Sequence, residues 1–321
     1  MQTTLPPHDP MTDQPAPRAP VVIAPRRPFW NRKGNLLPLV LLLPALAVLG
    51  LMLGYPLFRL AVMAFQEFGL RQQFGTPAPW VGFANFSDIL GDSYFWAVLT
   101  RTVVFCAVNV ALTMVLGTAV AVLLTYVSPL VRRMVSVSLM LAWATPPLAA
   151  VVIWQWIFDT QYGLANWLLD RQGQSWLAEQ LSFYFVATII VVWMGVPFIA
   201  FTLYAGLTQV PRELIEAAAL DGANSWQRLR NVAYPMLKPI LLILTTLSVL
   251  WDFRVFTQVY VLQKAGGISR DTNLLGVWAY QVSIGQNDFG TGAAIAIVMV
   301  LITVGMTVFY LRSMTKQESL T

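Results

Sequence analysis

Polar and apolar positions in this chain segregate into long blocks instead of alternating. Leu36 to Phe58 is an apolar run of 23 residues, and further runs occupy Thr102 to Val127, Val135 to Phe158, Phe183 to Leu207, Pro239 to Leu262 and Gly290 to Leu311. About 20 helical residues at ~1.5 Å each cross a ~30 Å hydrocarbon core. The blocks therefore predict an all-α polytopic membrane protein with six transmembrane helices and both termini on one side. Ala45-Leu46-Ala47 mimics a signal-peptidase site, but the apolar run continues well past it, so the first helix is expected to stay uncleaved.

One long polar, charged stretch lies between two strongly apolar runs, Pro211 to Pro235. Pro211 suits a first helical position, because its ring presets φ and its missing N–H would be unsatisfied there anyway, while Glu213 and Glu216 sit near the positive helix end. Ala217, Ala218 and Ala219 add helix propensity and a flat surface, and Gly222 supplies a left-handed stop. Ser225 can cap a second short helix through Trp226, Arg228 and Arg230. That helix is expected to stop near Tyr234, because the residue before Pro235 is pushed out of the α region. The segment reads helix, bend, helix, with an ordinary amphipathic connector as the alternative.

Residues 1–34 hold eight prolines and little sustained apolar pattern, the composition of a disordered tail. Residues 59–96 are too long and aromatic for a simple hairpin, and Trp80, Phe83, Phe86, Tyr94, Phe95 and Trp96 suit a membrane interface. Pro146 and Pro147 are expected to interrupt the third span and Pro197 the fourth, freeing backbone groups for a cavity or simply kinking the helices for packing.

Composition narrows the class. With 57% hydrophobic and 11% charged residues and a mean hydropathy of +0.64, the chain falls outside the range of soluble domains. A single cysteine, Cys106, excludes an internal disulfide and reads as a small packing residue. The only histidine, His8, lies in the proline-rich tail, so no catalytic residue and no metal ligand is assigned. The net charge of +5 is scattered over membrane-flanking segments, which speaks for membrane orientation and against nucleic acid. If the tail is cytoplasmic, the inner segments hold thirteen of the twenty Lys and Arg residues, among them Arg132, Arg133, Arg212, Arg228, Arg230 and Lys238. Positive-inside bias then places the alanine-rich loop in the cytoplasm. No Gly-x-x-x-x-Gly-Lys-Ser/Thr run occurs, so the chain is expected to cradle no ATP and to draw its energy from another polypeptide.

The fifth span carries two ionisable residues. Counted from Lys238 at ~1.5 Å per residue, Asp252 lies ~21 Å and Arg254 ~24 Å along it. Charges at that depth usually face a bundle interior or a wet cavity. On a continuous helix Asp252 and Arg254 point roughly 200° apart, while Trp251, Arg254 and Gln258 share one face. An aromatic plate beside hydrogen-bond donors would fit the C–H face and hydroxyl rim of a sugar. Trp193 is a further candidate wall residue, with lipid-belt packing as its alternative, and Asp252 and Arg254 could instead bond neighbouring helices.

Glu216-Ala217-Ala218, three residues, Gly222 and a longer run to Pro235 together resemble the EAA loop of binding-protein-dependent ABC importer permeases. The ending Val232, Ala233, Tyr234, Pro235 departs from that loop's usual isoleucine, any residue, leucine, proline. Val81-Gly82-Phe83-Ala84-Asn85-Phe86 and Gly163-Leu164-Ala165-Asn166-Trp167 resemble two shorter patches of the same family. Trp251 to Leu262, WDFRVFTQVYVL, resembles the fifth-helix signature of carbohydrate permeases related to maltose, trehalose and chitobiose importers. Thr257 stands where many relatives have Asp, and Gln263-Lys264-Ala265-Gly266-Gly267 replaces the usual turn.

The resemblance covers residues 36–312 and implies a permease subunit carrying a sugar, a di- or oligosaccharide, across a bacterial plasma membrane. It implies a second homologous permease in a heterodimer and two cytoplasmic ATPase subunits holding ATP and Mg. It also implies an extracytoplasmic sugar-binding protein. ATPase coupling would fall to Glu216, Ala217, Ala218, Asp221, Gly222, Ala223 and Pro235. The expected organisation is a cytoplasmic tail at 1–34, a transmembrane domain at 35–312 with its coupling loop at 208–238, and a cytoplasmic C-terminal tail at 313–321. The alternatives are a permease for glycerol phosphate or peptides, and a secondary transporter or membrane enzyme. Against the second stand the missing His and Cys constellations and the lack of duplicated halves.

Overall fold

The computed structural model describes residues 37–318, so the expected tail at 1–34, with His8 and its five basic residues, lies outside the described residues. The chain divides into two compact units at Tyr55 and Pro56. In the first, α1 (Leu37–Leu49) passes into a π-helical turn at Gly50–Gly54. Its described side chains, including Leu41, Leu46 and Met52, are exposed, an apolar surface suited to lipid.

In the second unit α2 (Tyr55–Ala64), α3 (Leu70–Gln73) and α4 (Ala84–Gly91) precede the long α5 (Ser93–Tyr126). Next come α6 (Pro129–Ala144), α7 (Pro147–Ile157), α8 (Leu164–Leu168) and the long α9 (Gln180–Thr208). Then follow α10 (Arg212–Leu220), α11 (Ser225–Arg228), α12 (Tyr234–Asp252), α13 (Thr257–Lys264), α14 (Ser269–Thr272), α15 (Leu275–Tyr280) and α16 (Phe289–Glu318). Among the described residues β structure is limited to two isolated bridges.

Among the described residues five stretches are long and apolar enough to cross a membrane: Val40–Ala64, Ser93–Tyr126, Gln180–Thr208, Ser225–Lys264 and Phe289–Tyr310. The pair α6 and α7, bent by 106°, makes six if it counts as one span. The bend falls at Thr145 and Pro146, where the backbone is extended and α7 opens on Pro147, the break expected of a double proline. Pro197 behaves otherwise. It is buried inside an unbroken α9, which corrects the expectation of an interrupted fourth span: one lost N–H does not stop a helix packed along its length on α5. The aromatic stretch before the second span, too long for a simple hairpin, holds the end of α2, α3, α4 and the start of α5. Asp92 caps α5 by accepting from the Tyr94 N–H at 2.8 Å, so Tyr94, Phe95 and Trp96 belong to the helix. At the other end α16 runs through Glu318.

The spine of the bundle is the α5–α9 pair, and small residues let the two backbones close. A Cβ on Gly117 would lie 2.6 Å from the Ile199 side chain, and one on Gly195 would lie 2.9 Å from Thr113. Glycines at such contacts are how helices in a membrane gain packing where no hydrophobic difference drives them together. Around this pair sit fully buried Phe95, Phe183, Phe253, Leu244 and Ile295. Cys106 is buried and its thiol donates to the Val249 carbonyl at 3.6 Å.

Two asparagines of the short motifs act as staples. Asn85 Nδ2 donates to the carbonyls of Ala64 at 2.9 Å and Gln66 at 3.0 Å, tying α4 to the end of α2. Asn166 is fully buried in the loop after α7, where its Nδ2 lies within 3.2 Å of the carbonyls of Asp159, Thr160 and Gln174. Its Oδ1 accepts from the Trp176 indole at 2.6 Å. In the same loop the backbone N–H groups of Tyr162 and Gln161 hold the Asp159 carboxyl below its usual pKa. The loop is thus a hydrogen-bonded knot organised by Asn166. Asn166→Ala is expected to lower stability by about 3 kcal/mol, because several buried polar groups lose their partner together. Thermal unfolding in detergent measures this, with the exposed Trp167→Ala within about 0.5 kcal/mol of wild type.

Candidate functional site

The polar segment between α9 and α12 folds into a bent knuckle. Pro211 stands one residue outside α10, as its N-cap with ψ 127°, not at the first helical position expected for it. The helix ends in a full Schellman motif. Gly222 takes φ +83°, its N–H donates to Ala219 O at 3.1 Å, and the Ala223 N–H donates to Ala218 O at 2.9 Å. The spacing from Glu216 to Gly222 therefore encodes a helix, its terminating hydrogen bonds and a reversal.

The second helix departs from expectation twice. Its cap is Asn224, not Ser225: the Gln227 N–H donates to Asn224 Oδ1 at 2.9 Å and the Asn224 N–H to Gln227 Oε1 at 2.8 Å. Asparagine caps as well as serine, and only Asn224 has a glutamine three residues on to close the box. Nor does the helix stop at Tyr234. Leu229–Ala233 forms a π-helical turn, Tyr234 stays helical at φ −58°, and its N–H reaches back to Leu229 O. The wider turn takes up the clash that Pro235 imposes on the preceding turn, so the knuckle joins α12 without a break.

Glu216, Ala217, Asp221, Gly222 and Pro235 are exposed, and Ala218 and Ala223 partly so. Leu220 at the bend is 91% exposed and Trp226 66%. Sequence reasoning missed this apolar tip; an apolar residue two positions before a helix-terminating glycine was the available signal.

The second region is a break in the fifth span. Between Asp252 and Thr257 the helix opens into a turn at Phe253–Phe256, so Trp251, Arg254 and Gln258 do not share a helical face as expected. They meet in another way. Together with Asp252 they line one cavity of about 300 Å³, whose other walls include Trp143, Pro147, Met194 and Phe198. Phe198 packs edge-on to Trp251 at 5.1 Å and stacks on Trp143 at 6.4 Å. Arg254 Nε donates to Leu250 O at 3.1 Å, and the Gln258 amide finds only the Met194 sulfur, at 3.7 Å. The arrangement offers aromatic faces beside amide and guanidinium donors with capacity to spare. Trp193 is not among the lining residues and packs edge-on to Trp154 at 6.1 Å.

The far half of the broken helix is held by a closed polar network. Gln263 Nε2 donates to Thr272 Oγ1 and Asn273 Oδ1, Gln281 Nε2 to Gln263 Oε1, and Asn273 Nδ2 to Tyr94 OH and Gln281 Oε1, all at 2.8–3.1 Å. With α13 fixed in this way, Phe253–Phe256 is the joint between it and α12.

Comparisons agree with this architecture. The family model for the inner membrane component of binding-protein-dependent transport systems matches residues 113–314. The diacetylchitobiose uptake system permease protein DasB of Streptomyces coelicolor is 43% identical over 90% of this chain and 89% of its own length. The trehalose/maltose transport system permease protein MalF of Thermococcus litoralis is 33% identical over 73% of this chain and 79% of its own. A bacterial ABC transporter involved in the import of the acidic polysaccharide alginate has the same fold. It superposes with a TM-score of 0.77 at 17% identity, covering 87% of this chain and 95% of that one. The chain therefore belongs to the family of inner membrane components of binding-protein-dependent transport systems.

Proposed function

We propose that the chain is one permease subunit of an ABC importer for a di- or oligosaccharide. It sits in a bacterial inner membrane with both termini cytoplasmic. The carrying observation is the convergence of Trp251, Arg254 and Gln258 on one cavity at a helix break, in a chain whose relatives include permeases for diacetylchitobiose and trehalose/maltose. At about 300 Å³ the cavity is at the low end for a ligand site, which fits a path completed by a second, homologous permease in a heterodimer.

Two ATPase subunits, carrying ATP and Mg, dock on the knuckle, where Glu216 and Asp221 present the charges, Ala217, Ala218, Gly222 and Ala223 the low-bulk surface and Leu220 the apolar tip. Pro235 marks its junction with α12, and the coupling loop spans 208–238. Closure of the ATPases displaces α10, the attached α9 and α12 follow, and the joint at Phe253–Phe256 opens the cavity outward to sugar delivered by an extracytoplasmic binding protein.

Uptake of a panel of labelled mono- and disaccharides in cells lacking the chain, complemented by wild type or variants, tests this reading. Trp251→Ala and Arg254→Ala are expected to raise the KM for the transported sugar roughly tenfold, about 1.4 kcal/mol each, with ATPase recruitment unchanged. Unaltered kinetics for every sugar would remove these residues from the path.

A further inference from the structure

A second cavity, about 490 Å³, lies behind the knuckle, walled by the ends of α5, α6, α9, α10 and α11. The charged residues in its lining are Arg132, Arg212, Arg228 and Glu216, three cations against one carboxylate. Hydroxyls of Thr125 and Thr208 share the wall. Arg132 is held in place: its Nε donates to Leu124 O at 2.8 Å, its Nη2 to Val127 O at 3.2 Å, and its guanidinium lies 5.7 Å over the Tyr204 ring. Arg228 donates from Nη2 to Ser225 Oγ at 3.1 Å, but its Nε is buried without a hydrogen-bond partner. A buried donor on a cation lacks an acceptor in this cavity, and the Glu216 carboxylate in the same lining does not reach it.

We propose that this cavity binds a phosphate group, carried by a small phosphorylated solute or by a lipid headgroup. The net charge of the lining is +2, which a phosphate monoester of about −1.5 to −2 balances. Guanidinium forks match phosphate oxygens in pairs. A neutral sugar would leave the cations unbalanced, and a metal cation would be repelled. The phosphate ties Arg212 on α10 to Arg132 on α6 and Arg228 on α11, and so restrains the knuckle against the bundle. The site rests on this geometry and not on the transport reading, which sugar uptake tests separately.

The test uses the full chain in lipid nanodiscs. One arm holds phosphatidylcholine alone and is titrated with inorganic phosphate and glycerol 3-phosphate. The other holds phosphatidylcholine mixed with phosphatidic acid, whose headgroup is a phosphate monoester, without added phosphate, and retention of phosphatidic acid is read by native mass spectrometry. Saturable binding is expected in at least one arm, and which arm identifies the source. Arg228→Gln is expected to weaken it at least tenfold, while Arg230→Gln, exposed and outside the cavity, stays within twofold. Should Arg228→Gln fail to fold, Arg212→Gln, on the exposed side of the cavity, carries the same expectation. Absence of saturable binding in both arms, or equal weakening by Arg230→Gln, overturns the proposal.

Discussion

Gly222→Val is expected to cut coupled uptake at least roughly a hundredfold while leaving the chain inserted in the membrane. The residue takes φ +83°, a conformation that costs an L residue about 1–2 kcal/mol and a β-branched one more. Nothing lies within 4 Å of where its Cβ would stand, so the substitution collides with no neighbour and leaves the bundle intact. Its effect is confined to the reversal. Once φ relaxes, the hydrogen bonds from Gly222 and Ala223 to Ala219 and Ala218 are lost, and Leu220 leaves its place at the tip. A small displacement of a positioning element can cost about two orders of magnitude in rate. Glu216→Lys, a charge reversal at an exposed position, is expected to act in the same direction without altering the backbone. Labelled-sugar uptake and quantitation of the chain in the membrane fraction check both variants. Full uptake by either would remove the knuckle from the coupling path.

The parts legible in the sequence were those written in a local code. Apolar block length gave the spans, the double proline at 146–147 gave the bend between α6 and α7, and the spacing to Gly222 gave the helix and its stop. What was missed required more than one neighbour to decide. Asn224 outcompetes Ser225 as a cap only because Gln227 completes the box. Tyr234 remains helical because a π turn absorbs the proline after it. Pro197 is tolerated because α9 is packed along α5. The break after Asp252 carries no proline or glycine to announce it, and it depends on tertiary anchors such as the Gln263 network. The cavity it opens therefore gathers Trp251, Arg254 and Gln258 by a route that helical periodicity does not describe.

The same dependence on packing sets the largest expected loss of stability. Gly117 lies where α5 and α9 come closest, with the Ile199 Cβ and Cγ2 both 2.6 Å from the position of an added Cβ and the Ala200 backbone nitrogen at 3.5 Å. Ile199 is itself almost fully buried and has no free volume to retreat into. Gly117→Leu must therefore spread two helices of 34 and 29 residues. Overpacking of this kind costs about 1–3 kcal/mol, and the upper end is expected because in a membrane the close approach is itself the source of helix association. Gly305→Leu is the matched control: it lies on α16, with open space around the added Cβ, and is expected to stay within about 0.5 kcal/mol of wild type. Unfolding of both variants in detergent, followed by tryptophan fluorescence, compares them directly. Equal stability of the two would mean that the α5–α9 contact is not as close as the glycine pattern requires. Loss in Gly117→Leu alone would identify that contact as the close-packed spine of the bundle.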